Sequence, residues 1–468
     1  MGSKALRTGI TVAVGVFIWL YPVPEGVTVQ AWRMFAIFAA SIAGLLLRPM
    51  PMGVVALTAL TVAALTNVLK PAEILNGFAN PIIWLIVCAF LFARGFVKTG
   101  LGRRIAFLLS RALGSSSLKL GYALMLTNLI IAPATPSNTA RLGGILYPIL
   151  RSLASAFGSE PDKEPRKIGA YLIYSSYTCD TVISATFLTA LGANVTVYGI
   201  ATSTIPDFHW SWMDWLISTS VPCAIILATL PWLIYKLYPP TLKDTPEIRE
   251  IANKELAAMG RMSYGEKAVG IIFLICLALW ATTTLHKTNA TVIALFGVVA
   301  MFWSGALTID DFTTEKSAWD TLVWMGSFLC MAGFMGKFGL MTWFAKTISA
   351  PMATIGWEWA LLLMLLIYMY SQYFFASATA HAMAMFAPFV VVLIAAGAPL
   401  YMAVIPFFGV TGICGGLTYY SMAPGVILYG SGYVEHNEWF RLGFLASTYN
   451  LAVWLIAGAV WWKVLGYW

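Results

Sequence analysis

A chain of 468 residues that is 60% hydrophobic and 10% charged, with mean hydropathy +0.80, is not built to face water. Soluble domains carry about 25% charged residues, so a soluble enzyme or binding module is excluded, and the length divides naturally into spans of about 20 apolar residues. The net charge of +8 points to nucleic acid only until its distribution is followed along the chain.

Apolar runs fall near 9–21, 30–47, 52–69, 81–97, 168–199, 212–235, 268–285, 290–305, 318–336, 400–431 and 442–465, which predicts an all-α polytopic membrane protein with about 11 transmembrane helices. Arg7 leads into the first run without a small-residue cleavage site, so that run reads as a span rather than a signal peptide. Two further stretches, about 118–155 and 358–398, are apolar at both ends and polar in the middle. Lys and Arg set the orientation. With a cytoplasmic N-terminus, Lys4, Arg7, Arg48 and the basic segments at 94–119, 151–167 and 236–267 lie inside, as do Lys316 and Arg441. The segment 202–214 has no Lys or Arg and reads as external. This arrangement requires each interrupted stretch to enter and leave on one face, giving one inward and one outward re-entrant hairpin. The positive charge is then a topology marker for a cytoplasmic membrane, with lipid and not nucleic acid as its partner.

The longest hydrophilic stretch, 238–267, reads as a cytoplasmic linker between halves at 1–237 and 268–468. The halves resemble each other at a spacing near 240. Trp84 in NPIIWLIVCAF matches Trp324 in DTLVWMGSFLC, and FVKTGL matches FMGKFGL. The tips of the hairpins match best: Ser137, Asn138, Thr139, Ala140 and Arg141 stand opposite Ser377, Ala378, Thr379, Ala380 and His381, each 240 residues on. Oppositely opening hairpins make the repeat inverted, the architecture of secondary transporters.

Irregular backbone in hydrocarbon survives only where protein or a water-lined cavity satisfies it. At each tip, N-capping residues precede a new helix, so each tip aims a helix N-terminus at the membrane interior. Two such termini suit an anion charged at both ends. Broken spans follow both tips, 184–199 around Gly192, Ala193 and Asn194, and 415–430 around Met422, Ala423, Pro424 and Gly425. Any one of these breaks reads equally as a capped kink; four at repeat-related positions read as a site.

PSNTAR and YFFASATAH resemble the paired Ser-Asn-Thr motifs of the divalent anion/sodium symporter family, and the resemblance extends from the first spans to GSGYV at 430–434. It implies a homodimer, an elevator mechanism, and C4 dicarboxylate or tricarboxylate substrates. Carried onto this chain, it implies that Ser137, Asn138, Thr139, Ser377, Ala378 and Thr379 hold the substrate, with Gly192, Ala193, Met422, Ala423 and Pro424 completing the site. Ala378 stands where the sodium-coupled pattern has Asn, and Arg141 and His381 stand where it has small or neutral residues. Both departures resemble the dicarboxylate exchanger branch.

Arg141 is four residues past Ser137, on the same helical face and leaning back toward the tip. Together with His381 it is expected to supply fixed charge compensation for a dianion such as malate, succinate, fumarate or 2-oxoglutarate, in place of sodium. Asp180, mid-span, reads either as a functional acid or as a fixed hydrogen-bond acceptor for neighbouring backbone. His209, His286 and His436 fall at predicted interfaces, and the six cysteines sit singly in apolar segments without CxxC spacing, so no metal and no cofactor is expected. The competing functions are sodium- or proton-coupled uptake of the same anions and, more remotely, a polytopic membrane enzyme. The latter lacks any DxxxD, HxxxH or GxSxG arrangement.

Overall fold

A computed structural model describes residues 2–135, 137–205, 207–340, 342–343, 346–347 and 356–468. Pro136, in the first tip, lies outside them. Among the described residues the chain is helical without strands; a single antiparallel bridge joins Ser116 to Asp244. Among the described residues nine helices are long and apolar enough to cross a membrane, and Met52–Leu65 and Ala290–Trp303 are shorter apolar helices. The protein is a multi-pass membrane protein.

Capping explains many of the helix starts. Thr28 accepts from the N–H of Ala31, and Asn80 from that of Ile82 beside Pro81. Reciprocal capping boxes open Trp212–Leu237 (Ser211 with Asp214) and Tyr264–Ala281 (Ser263 with Glu266). The first predicted run lies in Gly2–Leu20, which packs along Val29–Leu47. The runs at 168–199 and 400–431 are not single spans: each is two helices separated by irregular backbone.

Pro81–Thr99 and Lys316–Lys337, which carry the repeat-matched Trp84 and Trp324, pack against one another. Gly77 lies just ahead of the first of these helices, where a Cβ would sit 1.9 Å from the Gly326 carbonyl oxygen, so only glycine allows that approach. The hydrophilic stretch 238–267 is held to the helices before it: Ser117 Oγ donates to Leu242 O, Thr245 Oγ1 to Gly114 O, and the Arg104 guanidinium to Glu266, 2.6 Å away.

Candidate functional site

At the first tip, Ser117–Ile131 ends in the 3-10 turn Ala132–Ala134, and the chain opens at Thr135. Ser137 Oγ accepts from Ala140 N at 3.2 Å, and its carbonyl accepts from Arg141 N at 2.9 Å. At the second tip, Trp357–Ser371 ends in Gln372–Phe374, Ser377 Oγ accepts from Ala380 N at 3.3 Å, and its carbonyl accepts from His381 N at 3.0 Å. The two tips thus make the same pair of bonds at repeat-matched positions. The Thr139 and Thr379 side chains, both half-buried, make no hydrogen bond among the described residues, and their hydroxyls remain available.

The helix leaving the first tip differs from the regular one the sequence suggests. Residues Thr139–Leu146 take the wider π register before Tyr147–Ala156. Pro148 has no N–H to give and its ring would crowd the carbonyl four residues back; a widened turn relieves this, and Tyr147 N bonds to Leu142 O. π turns recur at functional sites. A cavity of about 420 Å³ runs beside this helix, bordered by Gly144, Ser152, Lys98 and Arg103.

The breaks fall slightly before the residues the sequence marks. The first occupies 187–191 around the 3-10 turn Leu188–Ala190, so Gly192 and Ala193 begin the helix Gly192–Thr204. Asn194 Nδ2 compensates by donating to Ser184 O at 2.6 Å and Phe187 O at 3.0 Å. The second break follows Cys414–Leu417, with Met422 as the residue before Ala423–Gly430 and Pro424 in its first turn. Tyr177 OH lies 2.7 and 2.8 Å from Gly415 O and Thr418 O, which share its one proton. A Cβ on Gly192 would meet nothing within 4 Å, whereas one on Gly425 would lie 2.4 Å from Tyr419 O.

These elements touch one another. Thr189 Oγ1 donates to Pro133 O, tying the first break to the first tip. Asn138 Nδ2 lies 3.2 Å from Met422 Sδ, and Ala378 N donates to Ser421 O at 2.8 Å, so residues 421–422 join both tips. Gly192–Thr204 packs against Ala378–Ala395. Four helix beginnings, each with first-turn N–H groups that lack intrahelical acceptors, are therefore neighbours.

Arg141 does reach back to the tip, but its charge meets a carboxylate. It is fully buried and makes five hydrogen bonds. Nε and NH2 donate to Asp180 Oδ1 at 3.2 and 2.8 Å, NH2 to Ser184 Oγ at 2.7 Å, and NH1 to Thr135 O and Ala190 O at 2.7 and 3.0 Å. Asp180 also accepts from Asn128 Nδ2 at 3.0 Å. The unpaired guanidinium expected from sequence is thus replaced by a buried ion pair, and Asp180 accepts from the Arg141 and Asn128 side chains rather than from neighbouring backbone. His381, equally buried, shares a 2.9 Å hydrogen bond with Ser371 Oγ and lies 4.4 and 4.9 Å from the Tyr368 and Phe375 rings. No carboxylate is among these contacts, and an unbalanced charge is expensive in such a cage.

Asn128, Ser184, Tyr177, Ser371 and Ser421 bond to the tips, the breaks or the groups behind them and escape sequence reading; only their polarity within apolar runs marks them. His209, His286 and His436 are exposed, and all six cysteines are buried and unpaired.

The transmembrane region of sodium:sulfate symporters matches residues 3–468. A putative malate transporter of Bacillus subtilis, YflS, is 42% identical over 98% of this chain and 96% of its own length. The chloroplastic dicarboxylate transporter 1 of Arabidopsis thaliana is 39% identical over 98% of this chain and 83% of its own. Among solved structures, Neisseria gonorrhoeae MtrF superposes with TM-score 0.59 at 12% identity, over 98% of this chain and 94% of that one, a likeness of fold alone. With the paired tips and broken helices at repeat-matched positions, these similarities make the chain a member of the divalent anion/sodium symporter family.

Proposed function

We propose that this protein exchanges C4 and C5 dicarboxylates, such as malate, succinate, fumarate and 2-oxoglutarate, across the cytoplasmic membrane by an elevator motion, independently of sodium. The observation that carries this reading is the matched pair of serine-capped helix N-termini joined through residues 421–422. Each terminus offers about half a positive charge, free N–H groups and an unused threonine hydroxyl, and two such ends suit two carboxylates. Ser137, Asn138, Thr139, Ser377, Ala378 and Thr379 hold the anion, and Gly192, Ala193, Met422, Ala423 and Pro424 close around it. The chain works as a homodimer with re-entrant tips and its N-terminus in the cytoplasm.

Sodium independence follows from what surrounds Arg141. Two carbonyls, a hydroxyl and a carboxylate form the oxygen set a hard cation would take, and a tethered guanidinium fills it. Because Asp180 cancels that charge, reluctance of the empty carrier to reorient comes from the four helix N-termini left without an anion. His381 keeps the matching position at the second tip filled by a protein group.

Proteoliposomes loaded with malate should take up labelled malate equally in sodium, potassium and choline buffers, and empty ones should take up little. Strong sodium stimulation into empty vesicles would support coupled symport instead, and chemical conversion of the substrate would support an enzyme. For orientation, cysteines at Ser203 and Asp244 should label from opposite faces; the buried native cysteines leave low background. Labelling from one face would defeat the inverted repeat.

A further inference from the structure

We infer that Asp180 is a positioning residue for transport, acting through Arg141 to hold the first tip against the first helix break while substrate binds. The inference rests on the dicarboxylate reading above. A guanidinium has five N–H donors in a fixed fork. All five are used within the protein: two on Asp180, one on Ser184, and one each on the Thr135 and Ala190 carbonyls. None is left for a substrate carboxylate, so Arg141 acts by placing backbone and not by touching the anion.

The two carbonyls identify what is placed. Thr135 opens the irregular backbone after the 3-10 turn Ala132–Ala134 at the first tip, and Ala190 ends the 3-10 turn before Gly192–Thr204. Both helix beginnings belong to the proposed site, and one side chain spans them. Asp180 fixes that side chain from the middle of Gly169–Thr186 and also takes Asn128 from the helix entering the tip. Three helices of the first half therefore meet at one carboxylate that is 0% exposed. The pair is neutral as a unit, which leaves the substrate charge to the helix termini.

Charge and geometry are separated by conservative replacement. Arg141→Lys keeps the charge but lacks the fork that holds both carbonyls on NH1 and Asp180 on Nε and NH2 at once. In malate counterflow it should lose at least ten-fold in rate over KM, and Asp180→Asn should raise KM by a similar factor. The double variant Arg141→Gln/Asp180→Asn should be no worse than Arg141→Gln alone, because both changes disable one unit. Near-normal exchange by Arg141→Lys, or an unchanged KM in Asp180→Asn, would overturn the inference. Ser184→Ala, which removes one bond of five, guards against loss of folding. Its unfolding midpoint should fall less than that of Asp180→Ala, because one neutral partner is lost and not the countercharge, while KM rises two- to five-fold and thermal stabilisation by malate weakens; unchanged KM and stabilisation would also overturn the inference. If the wild-type protein exchanges none of the dicarboxylates, both readings fall together, whereas normal exchange by every variant removes only the positioning role.

Discussion

Behind the first tip stands a guanidinium bonded to a carboxylate, a hydroxyl and two carbonyls; behind the second stands an imidazole bonded to one hydroxyl between two aromatic rings. The capping bonds in front of them are the same. The repeat has thus kept the capping bonds, which on the proposed reading face the anion, and changed the groups that support them. An inverted repeat constrains the site to be symmetric only where the ligand is, and each half can satisfy its buried groups in its own way.

The largest difference between the tips should appear in stability. Asp180→Ala leaves a buried guanidinium without its partner, a loss of about 3–5 kcal/mol. His381→Leu removes a single neutral hydrogen bond at similar volume, about 1 kcal/mol. Unfolding midpoints in one detergent should therefore fall much further for Asp180→Ala; equal shifts would show that the ion pair is no more structural than the histidine.

The next effect tests what the tips share. Thr139→Val and Thr379→Val each remove a hydroxyl that has no partner among the described residues and should leave stability unchanged. A hydrogen bond to a charged group contributes about 1.5–3 kcal/mol, so each variant should lose roughly ten- to hundred-fold in malate affinity. Loss in one variant but not the other, measured by malate-dependent thermal shift, would show that the anion sits on one tip alone.

Much of this arrangement is legible in the sequence because it depends on residue type at fixed spacing. Serine three residues before a helical N–H, an inserted polar triplet in an apolar stretch, and the 240-residue offset from Ser137 to Ser377 are local patterns. The lean of Arg141 toward the tip follows from helix geometry as well. Its partner does not: Asp180 lies 39 residues on, in a helix whose register against the tip is set by packing. The π register after Thr139 and the exact breaks at 187–191 and 418–422 likewise depend on which tertiary donor, Asn194 or Tyr177, takes the orphaned carbonyls.

The smallest expected effect bears on why the second tip carries Ala378 where the first carries Asn138. Asn138 Nδ2 meets a methionine sulfur, a weak acceptor, while Ala378 contributes its backbone N–H to Ser421 O and buries its methyl group. Ala378→Asn adds one amide beside Thr379. A net hydrogen bond of about 0.5–1.5 kcal/mol would change malate affinity by roughly two- to ten-fold. The substitution should not create sodium dependence, because the oxygen set behind the first tip stays occupied by the Arg141 guanidinium whatever the second tip carries. Counterflow with Ala378→Asn in sodium and in choline should therefore give one affinity, shifted from wild type by the same factor in both. Sodium stimulation from this single change would move the origin of cation independence from the ion pair of the first tip to the missing amide of the second.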